Sequence, residues 1–330
     1  MSQNTSSPLL WLLRFFARLP MHTLQGLARL LANISLLFPT KGVSKTVRRN
    51  LLIAFPDMPE AERNQIAAES VRSQAMSMLE FIKSWGNPPE YSIAQIRAVH
   101  GEQLFLDGLK NPNGLIAMMP HHGSWELMNA WANQHAAPTI MYKPVKEAAM
   151  NTFVLEARSR LNATLVPTDE SGVRSIFRTL KKGGFSAILP DHVPEESGGI
   201  LSRFFGHKVM TTTLISRLAE KTGCSVVLMY CLRCKDGDGF EIFFEPVDDR
   251  IRSKDLQESV DVMNQTIEAL IRRDPAQYHW AYKRFKDAPH FRGIYHKTDE
   301  EVREILATKD LVIEHPSASD LPAAHQPPTI

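Results

Sequence analysis

Residues 114–126 read GLIAMMPHHGSWE, and the fold class is visible in them. Gly114 to Met119 is a short apolar run with the length of a buried strand. A polar break follows, the chain turns at Gly123, and Ser124 is placed to cap a helix that starts near Trp125. The same unit recurs along the chain. Thr139–Tyr142, Ala163–Val166, Phe185–Leu189 and Ser225–Cys231 are further short apolar runs. Helical patterns separate them at 151–161, 172–182 and 212–222. A last strand, Phe240–Phe244, follows the turn Lys235-Asp236-Gly237-Asp238-Gly239, and 255–273 is again helical. Short buried strands alternating with helices predict an α/β fold: a central, mostly parallel sheet flanked by helices. Ligands of such sheets bind beyond the carboxyl ends of the strands, where His121 falls.

Upstream, Pro59–Trp85 reads as one long helix stopped by Gly86-Asn87-Pro88-Pro89. Before it, Leu9–Phe38 is rich in Leu, Phe and Trp but carries Arg14, Arg18, His22 and Arg29. On a helix these four spread over only about 80°, a cationic stripe on an apolar cylinder. Pro20 kinks or divides it, and Lys41, Lys45, Arg48 and Arg49 follow. The pattern predicts a membrane-anchoring segment over 9–40 that lies in the interface, since no stretch of about 18 uncharged apolar residues occurs to span a bilayer, and without the cleavage site of a secretory signal. The alternative is an ordinary amphipathic helix packed on the domain with its Arg stripe in water. The expected organisation is a polar disordered start (1–8), this anchor (9–40), one catalytic domain (41–308) and a Pro-rich disordered tail (309–330).

The chain has 330 residues, long enough for a sizeable core, with ordinary apolar (43%) and charged (22%) fractions, which excludes disordered and fibrous classes for the whole. Lys plus Arg number 38 against 36 Asp plus Glu, so a net charge of +2 gives no reason to expect nucleic acid. The three cysteines, Cys224, Cys231 and Cys234, lie close together and favour a reducing compartment. Cys231 and Cys234 lack a second metal-ligating pair and read as small core residues.

His121 and Glu126 are five residues apart. On a continuous helix they would diverge by about 140°; a strand, a turn and a first helical turn let them meet. A carboxylate on one ring nitrogen makes the other a general base for a hydroxyl. No nucleophilic serine elbow is present, so that hydroxyl would belong to the substrate. Two other readings share these residues: a metal held by His121, His122 and Glu126, and a capped helix with an incidental His pair. Arg158 and Arg160 suit phosphate oxygens or a solvated surface. Asp191, after the fourth apolar run, could orient a basic residue or the acceptor, or cap a loop. Gln277–Lys286 interleaves rings and cations, fit for RNA, an anionic lipid or a carrier protein, or for a half-buried loop with its cations in water.

His121-x4-Glu126 after a strand is similar to the H-x4-D/E motif of lysophospholipid acyltransferases. More specifically, the chain resembles the bacterial lipid A biosynthesis acyltransferases of the late (secondary, lauroyl/myristoyl) type. The resemblance runs through residues 9–290 in order. It rests on the N-terminal hydrophobic segment, Arg49-Asn50-Leu51 with Phe55-Pro56, His121–Glu126, Arg158-Ser159-Arg160 and Leu189-Pro190-Asp191. Phe204-Phe205-Gly206 with Thr211-Thr212-Thr213, and Pro275–Tyr278 with Trp280 and Lys283–Lys286, complete it. It implies a glycerol-phosphate-acyltransferase-like fold on an N-terminal hydrophobic membrane helix, at the cytoplasmic face of the inner membrane. It also implies transfer of an acyl chain, laurate or similar, from acyl carrier protein to the hydroxyl of a 3-hydroxyacyl chain on a lipid A precursor, with no metal or organic cofactor. Inner-membrane lipids would be partners, and nucleic acid would not. His121 and Glu126 match the catalytic dyad; Arg158, Arg160 and Asp191 match polar positions of the substrate cleft. The expected oxyanion donors are backbone N–H groups within Gly123–Trp125. One segment departs from the pattern: family members usually continue Pro-Asp-Gln-Asp-x-Gly, where this chain has Pro190-Asp191-His192-Val193-Pro194. The alternatives are another glycolipid or phospholipid acceptor, a metal-assisted lipid hydrolase, and a non-catalytic membrane-surface binding protein.

Overall fold

A computed structural model describes residues 7–308; the Pro-rich segment 309–330 and residues 1–6 lie outside it. The sheet strands are β1 (Ile96–His100), β2 (Leu115–Met118), β3 (Pro138–Met141), β4 (Thr164–Val166) and β5 (Phe185–Ile188). A separate antiparallel hairpin is formed by β6 (Gly199–Phe204) and β7 (His207–Thr212), and β8 (Ser225–Arg233) and β9 (Phe240–Pro246) return to the main sheet. That sheet runs β1-β9-β8-β2-β5-β3-β4. Every neighbouring pair is parallel except β8 and β9. The exception follows from the short Gly-rich turn between them, which can only reverse the chain; Gly237 and Gly239 take up its positive φ angles.

β2 and β5 are central and wholly buried, so they read as continuous apolar runs rather than alternating ones. Their residues still divide by face. Leu115 and Ala117 join Phe105, Leu127, Met128 and Trp131 on one side. Ile116 and Met118 join Ile176, Leu180, Ile215 and Met263 on the other. This period of two gives the sheet a helical layer on each face.

The expected mostly parallel α/β sheet is therefore present. Two parts were not anticipated. β1 is an edge strand carrying Arg97 and His100, and its half-exposed pattern lacks a buried run. The β6–β7 hairpin holds Phe204-Phe205-Gly206 and Thr211-Thr212, whose sequence carries no alternating strand pattern.

The N-terminal expectation is corrected. The segment is divided at Pro20 into a helix of 11 residues, Pro8–Arg18, and one of 16, Met21–Leu36. Among the described residues, no helix is long and apolar enough to cross a membrane. This overturns the N-terminal membrane helix and the inner-membrane location assigned through that anchor. Both helices pack instead on the long helix Glu60–Gly86. Leu10, Leu13 and Ala17 are buried with Ala149 and Phe153, and Leu24, Ala28 and Ala32 are buried further along. The carbonyl of Ala17, near the end of the first helix, accepts from Lys83 Nζ at 2.9 Å and Asn87 Nδ2 at 2.9 Å. A cation there complements the helix dipole. Apolar side chains on the outer faces, Trp11, Phe15, Leu30 and Leu37 among them, stay exposed.

The docking depends on Gly86, where a Cβ would stand 2.1 Å from the Ala17 Cβ. In an exposed helix alanine would be the better residue by about 1 kcal/mol. Here the clash dominates, so Gly86→Ala is expected to cost about 1–3 kcal/mol. Thermal unfolding, with limited proteolysis around residues 7–40, checks this.

Candidate active site

β2 and β5 pair in parallel with Met118 opposite Ile188. His121 and Asp191 each lie three residues beyond that matched pair, so the register delivers them side by side at the carboxyl edge of the sheet. The Asp191 carboxylate accepts twice from His121: Oδ2 from the backbone N–H at 2.9 Å and Oδ1 from the ring Nδ1 at 2.8 Å. A carboxylate can only accept, so Nδ1 carries the ring proton and Nε2 keeps the lone pair. His121 retains 14% of its side-chain exposure, whereas Asp191 has 2%. Burial alone would raise the Asp191 pKa. The charge of His121, the hydrogen bonds from it and the charge of His192 outweigh this and hold the carboxyl well below the usual range.

The loop from β2 to the helix Trp125–His135 is clamped on both sides. Gly123 donates to the Gln277 carbonyl, Ser124 N–H to the Cys231 carbonyl, and His279 N–H to the His121 carbonyl. Gly123 has φ +66°, and a Cβ there would lie 1.9 Å from the Cys231 oxygen, so no other residue fits without moving β8. Two of the three expected oxyanion donors, Gly123 and Ser124, are thus already engaged.

Glu126 does not meet His121: among the described residues no hydrogen bond joins them. Its carboxylate is taken up by Arg158 Nη2, at 2.6 and 2.7 Å to its two oxygens. Trp85 Nε1 at 3.0 Å and Asn129 Nδ2 at 3.1 Å add to this. Arg160 is exposed and donates to the Trp85 carbonyl. A small cleft between Trp85, Glu126, Asn129, Arg158 and Arg160 adjoins this ion pair.

Beneath the loop lies Glu80, fully buried. It accepts from Ser124 Oγ at 2.6 Å, Gln25 Nε2 at 2.9 Å and Arg233, through Nε at 2.6 Å and Nη2 at 2.8 Å. Sequence reasoning missed Glu80, Arg233, Trp85 and Asn129. The available signals were a carboxylate inside an apolar helix stripe and an arginine ending an apolar strand, and neither names its partner.

The His121, His122 and Glu126 metal set is not assembled. His122 is fully buried against Tyr230 and Tyr278, with neither ring nitrogen hydrogen-bonded among the described residues. Among those residues no three His, Cys, Asp or Glu side chains are grouped to hold an ion. Cys224 and Cys231 are buried core residues and Cys234 is half-buried. The 277–286 segment is a wedge rather than a binding strip. Tyr278, Trp280, Arg284 and Phe285 are buried, and only Lys283 and Lys286 of its cations face water.

The family model for bacterial lipid A biosynthesis acyltransferases matches residues 7–287. The chain is similar to the lipid A biosynthesis lauroyltransferase of Escherichia coli K12, 27% identical over 85% of this chain and 90% of that protein. It is also similar to a lipid A biosynthesis acyltransferase of Haemophilus influenzae, 29% identical over 73% of this chain and 77% of the relative. The E. coli K12 palmitoleoyltransferase is 28% identical over 73% and 78%.

Two outcomes test the electrostatics. Glu80→Ala leaves the Arg233 guanidinium buried and unpaired, and a loss of about 3–5 kcal/mol is expected in denaturant unfolding. Burial is the main cause that pushes His122 and His279 down to about 4 from an ordinary 6.5. The unfolded chain therefore binds protons at these rings first as pH falls. Stability should be full above about pH 6.5 and decline toward pH 4. Melting temperatures between pH 7.5 and 5 check the slope. His122→Leu, which breaks no hydrogen bond, should flatten it.

Proposed function

The chain belongs to the bacterial lipid A biosynthesis acyltransferase family and is an acyltransferase, and on that premise we propose a single-base transfer from a thioester to a lipid hydroxyl. The donor is acyl carrier protein loaded with laurate or a chain of similar length. The acceptor is the 3-hydroxyl of an acyl chain on a lipid A precursor. The observation that carries the mechanism is the doubly hydrogen-bonded His121–Asp191 pair, on a His121 side chain that keeps part of its surface exposed.

In this reading Nε2 takes the acceptor proton as the hydroxyl oxygen attacks the thioester carbonyl. Asp191 keeps the tautomer and stabilises the imidazolium that forms. The C–S bond then breaks, and the proton on Nε2 passes to the leaving thiolate. The new ester and the free carrier thiol balance the reaction. Oxyanion stabilisation falls to the Trp125 N–H, the remaining member of the expected trio. Glu126 serves by holding Arg158 rather than by touching His121. Arg158 and the exposed Arg160 then receive phosphate of the acceptor or donor. The lauroyl and palmitoleoyl names of the relatives support a donor of medium to long chain.

The test is mass spectrometry of a lipid A precursor incubated with the purified protein and a panel of acyl carrier protein thioesters. A gain of one acyl chain is expected. His121→Ala should lower turnover by about 10²–10⁴-fold, the usual worth of a general base, and Asp191→Asn should also lower kcat. Turnover of His121→Ala within a few fold of the unaltered protein overturns the mechanism. Loss of acyl chains from the lipid, without gain, overturns the transfer.

A further inference from the structure

A hydrogen bond to Asp191 sets which nitrogen of His121 carries the proton, but it does not by itself hold the plane of the ring. That plane is set by neighbouring rings. The His192 imidazole lies face to face with His121, centroids 3.9 Å apart and planes within 8°. Trp125 approaches His121 edge-on at 4.9 Å, and His279 lies at 6.1 Å. His192 is stacked again on Tyr282, at 4.1 Å and 22°. Two rings cannot share one face of an imidazole at such separations, so His192 is sandwiched between His121 and Tyr282. The loop is secured at the same place, since Val193 N–H donates to the Tyr282 hydroxyl at 2.9 Å.

We propose that His192 is a positioning residue, a neutral stacking plate that holds the His121 ring in the plane where Asp191 can bind Nδ1 and Nε2 meets the acceptor hydroxyl. The proposal deepens the mechanism above and rests on His121 being its base. It assigns a use to the segment in which this chain departs from the Pro-Asp-Gln-Asp pattern.

The charge state of the plate matters as much as its shape. Once His121 has taken the acceptor proton it is a cation. A second cation 3.9 Å away would oppose it; a neutral aromatic face does not. The groups acting on His192 are His121, His279 and Arg284, which disfavour a proton on it, and Asp191, which favours one. His192 is an exposed residue, yet desolvation of the ring stacked between His121 and Tyr282 is the largest influence on it, and its pKa falls to about 4. His279, on the other element packed here, is likewise neutral near pH 7, with a pKa of about 4.

The experiment compares His192→Ala, His192→Phe and His121→Ala in the full-length protein. It measures kcat and KM in the acyl-transfer assay from pH 6 to 9, with melting temperatures recorded. His192→Ala removes the plate and should lower kcat about tenfold with KM within about twofold, as expected for a misaligned catalytic group. His192→Phe restores an uncharged ring and should recover most of that loss, which separates positioning from general destabilisation. Unchanged kcat in His192→Ala overturns the proposal, as does a change confined to KM. A Phe variant that folds but is as slow as Ala overturns it too. Failure of the underlying mechanism is distinguishable, because then His121→Ala itself stays active.

Discussion

A buried carboxylate with no route to water must be satisfied by its neighbours, and Glu80 organises this protein around that requirement. It sits on the long helix Glu60–Gly86 and binds Arg233 at the end of β8, Ser124 at the start of the helix Trp125–His135, and Gln25 on the second N-terminal helix. Four elements far apart in sequence are thereby held at one point. Arg233 extends the network to Ser73 and Ser77 on the same long helix. A charged pair in this position contributes little net stability, but any arrangement that separates its members is strongly disfavoured. The cost of misassembly is what gives it its organising effect.

The loop that carries His121 hangs from that point. With Ser124 tied to Glu80 from below, and to the Cys231 carbonyl from the side, the preceding residues have little choice of path. Gly123 passes over the end of β8 where no side chain fits. His121 then emerges next to Asp191, because their strands are adjacent and in register. The wedge 277–286 closes the other side through Gln277 and His279, and its buried rings anchor it in the core. Two separate electrostatic pairs result, His121–Asp191 and Glu126–Arg158, from what reads in sequence as a single His–Glu motif.

That division has a simple cause. Glu126 lies in the first helical turn, on the side facing Trp85 and Arg158, and Arg158 stands at the end of the helix Ala148–Ser159, packed against the long helix. A guanidinium offers charge as well as hydrogen bonds. Asp191, released three residues after β5, reaches both the backbone and the ring of His121, a double contact that the helix-borne Glu126 does not make.

The α/β class, most of the sheet strands, the long helix and the position of His121 at the carboxyl edge are legible in the amino-acid order alone. Apolar runs, their lengths and their breaks are local properties, and Pro20 marked the division of the N-terminal segment. The cationic stripe on an apolar segment fits a membrane interface and a helix packed on the domain equally well, because the pattern does not show that Leu10, Leu13 and Ala17 are buried against the protein. Which residues become partners was decided only by tertiary structure. Nothing local says that β2 lies beside β5, that Arg233 points at Glu80, or that His192 folds back over His121. Strand order and register are set by the packing of the whole core, and the chemistry of the site depends on which side chains that packing brings into contact.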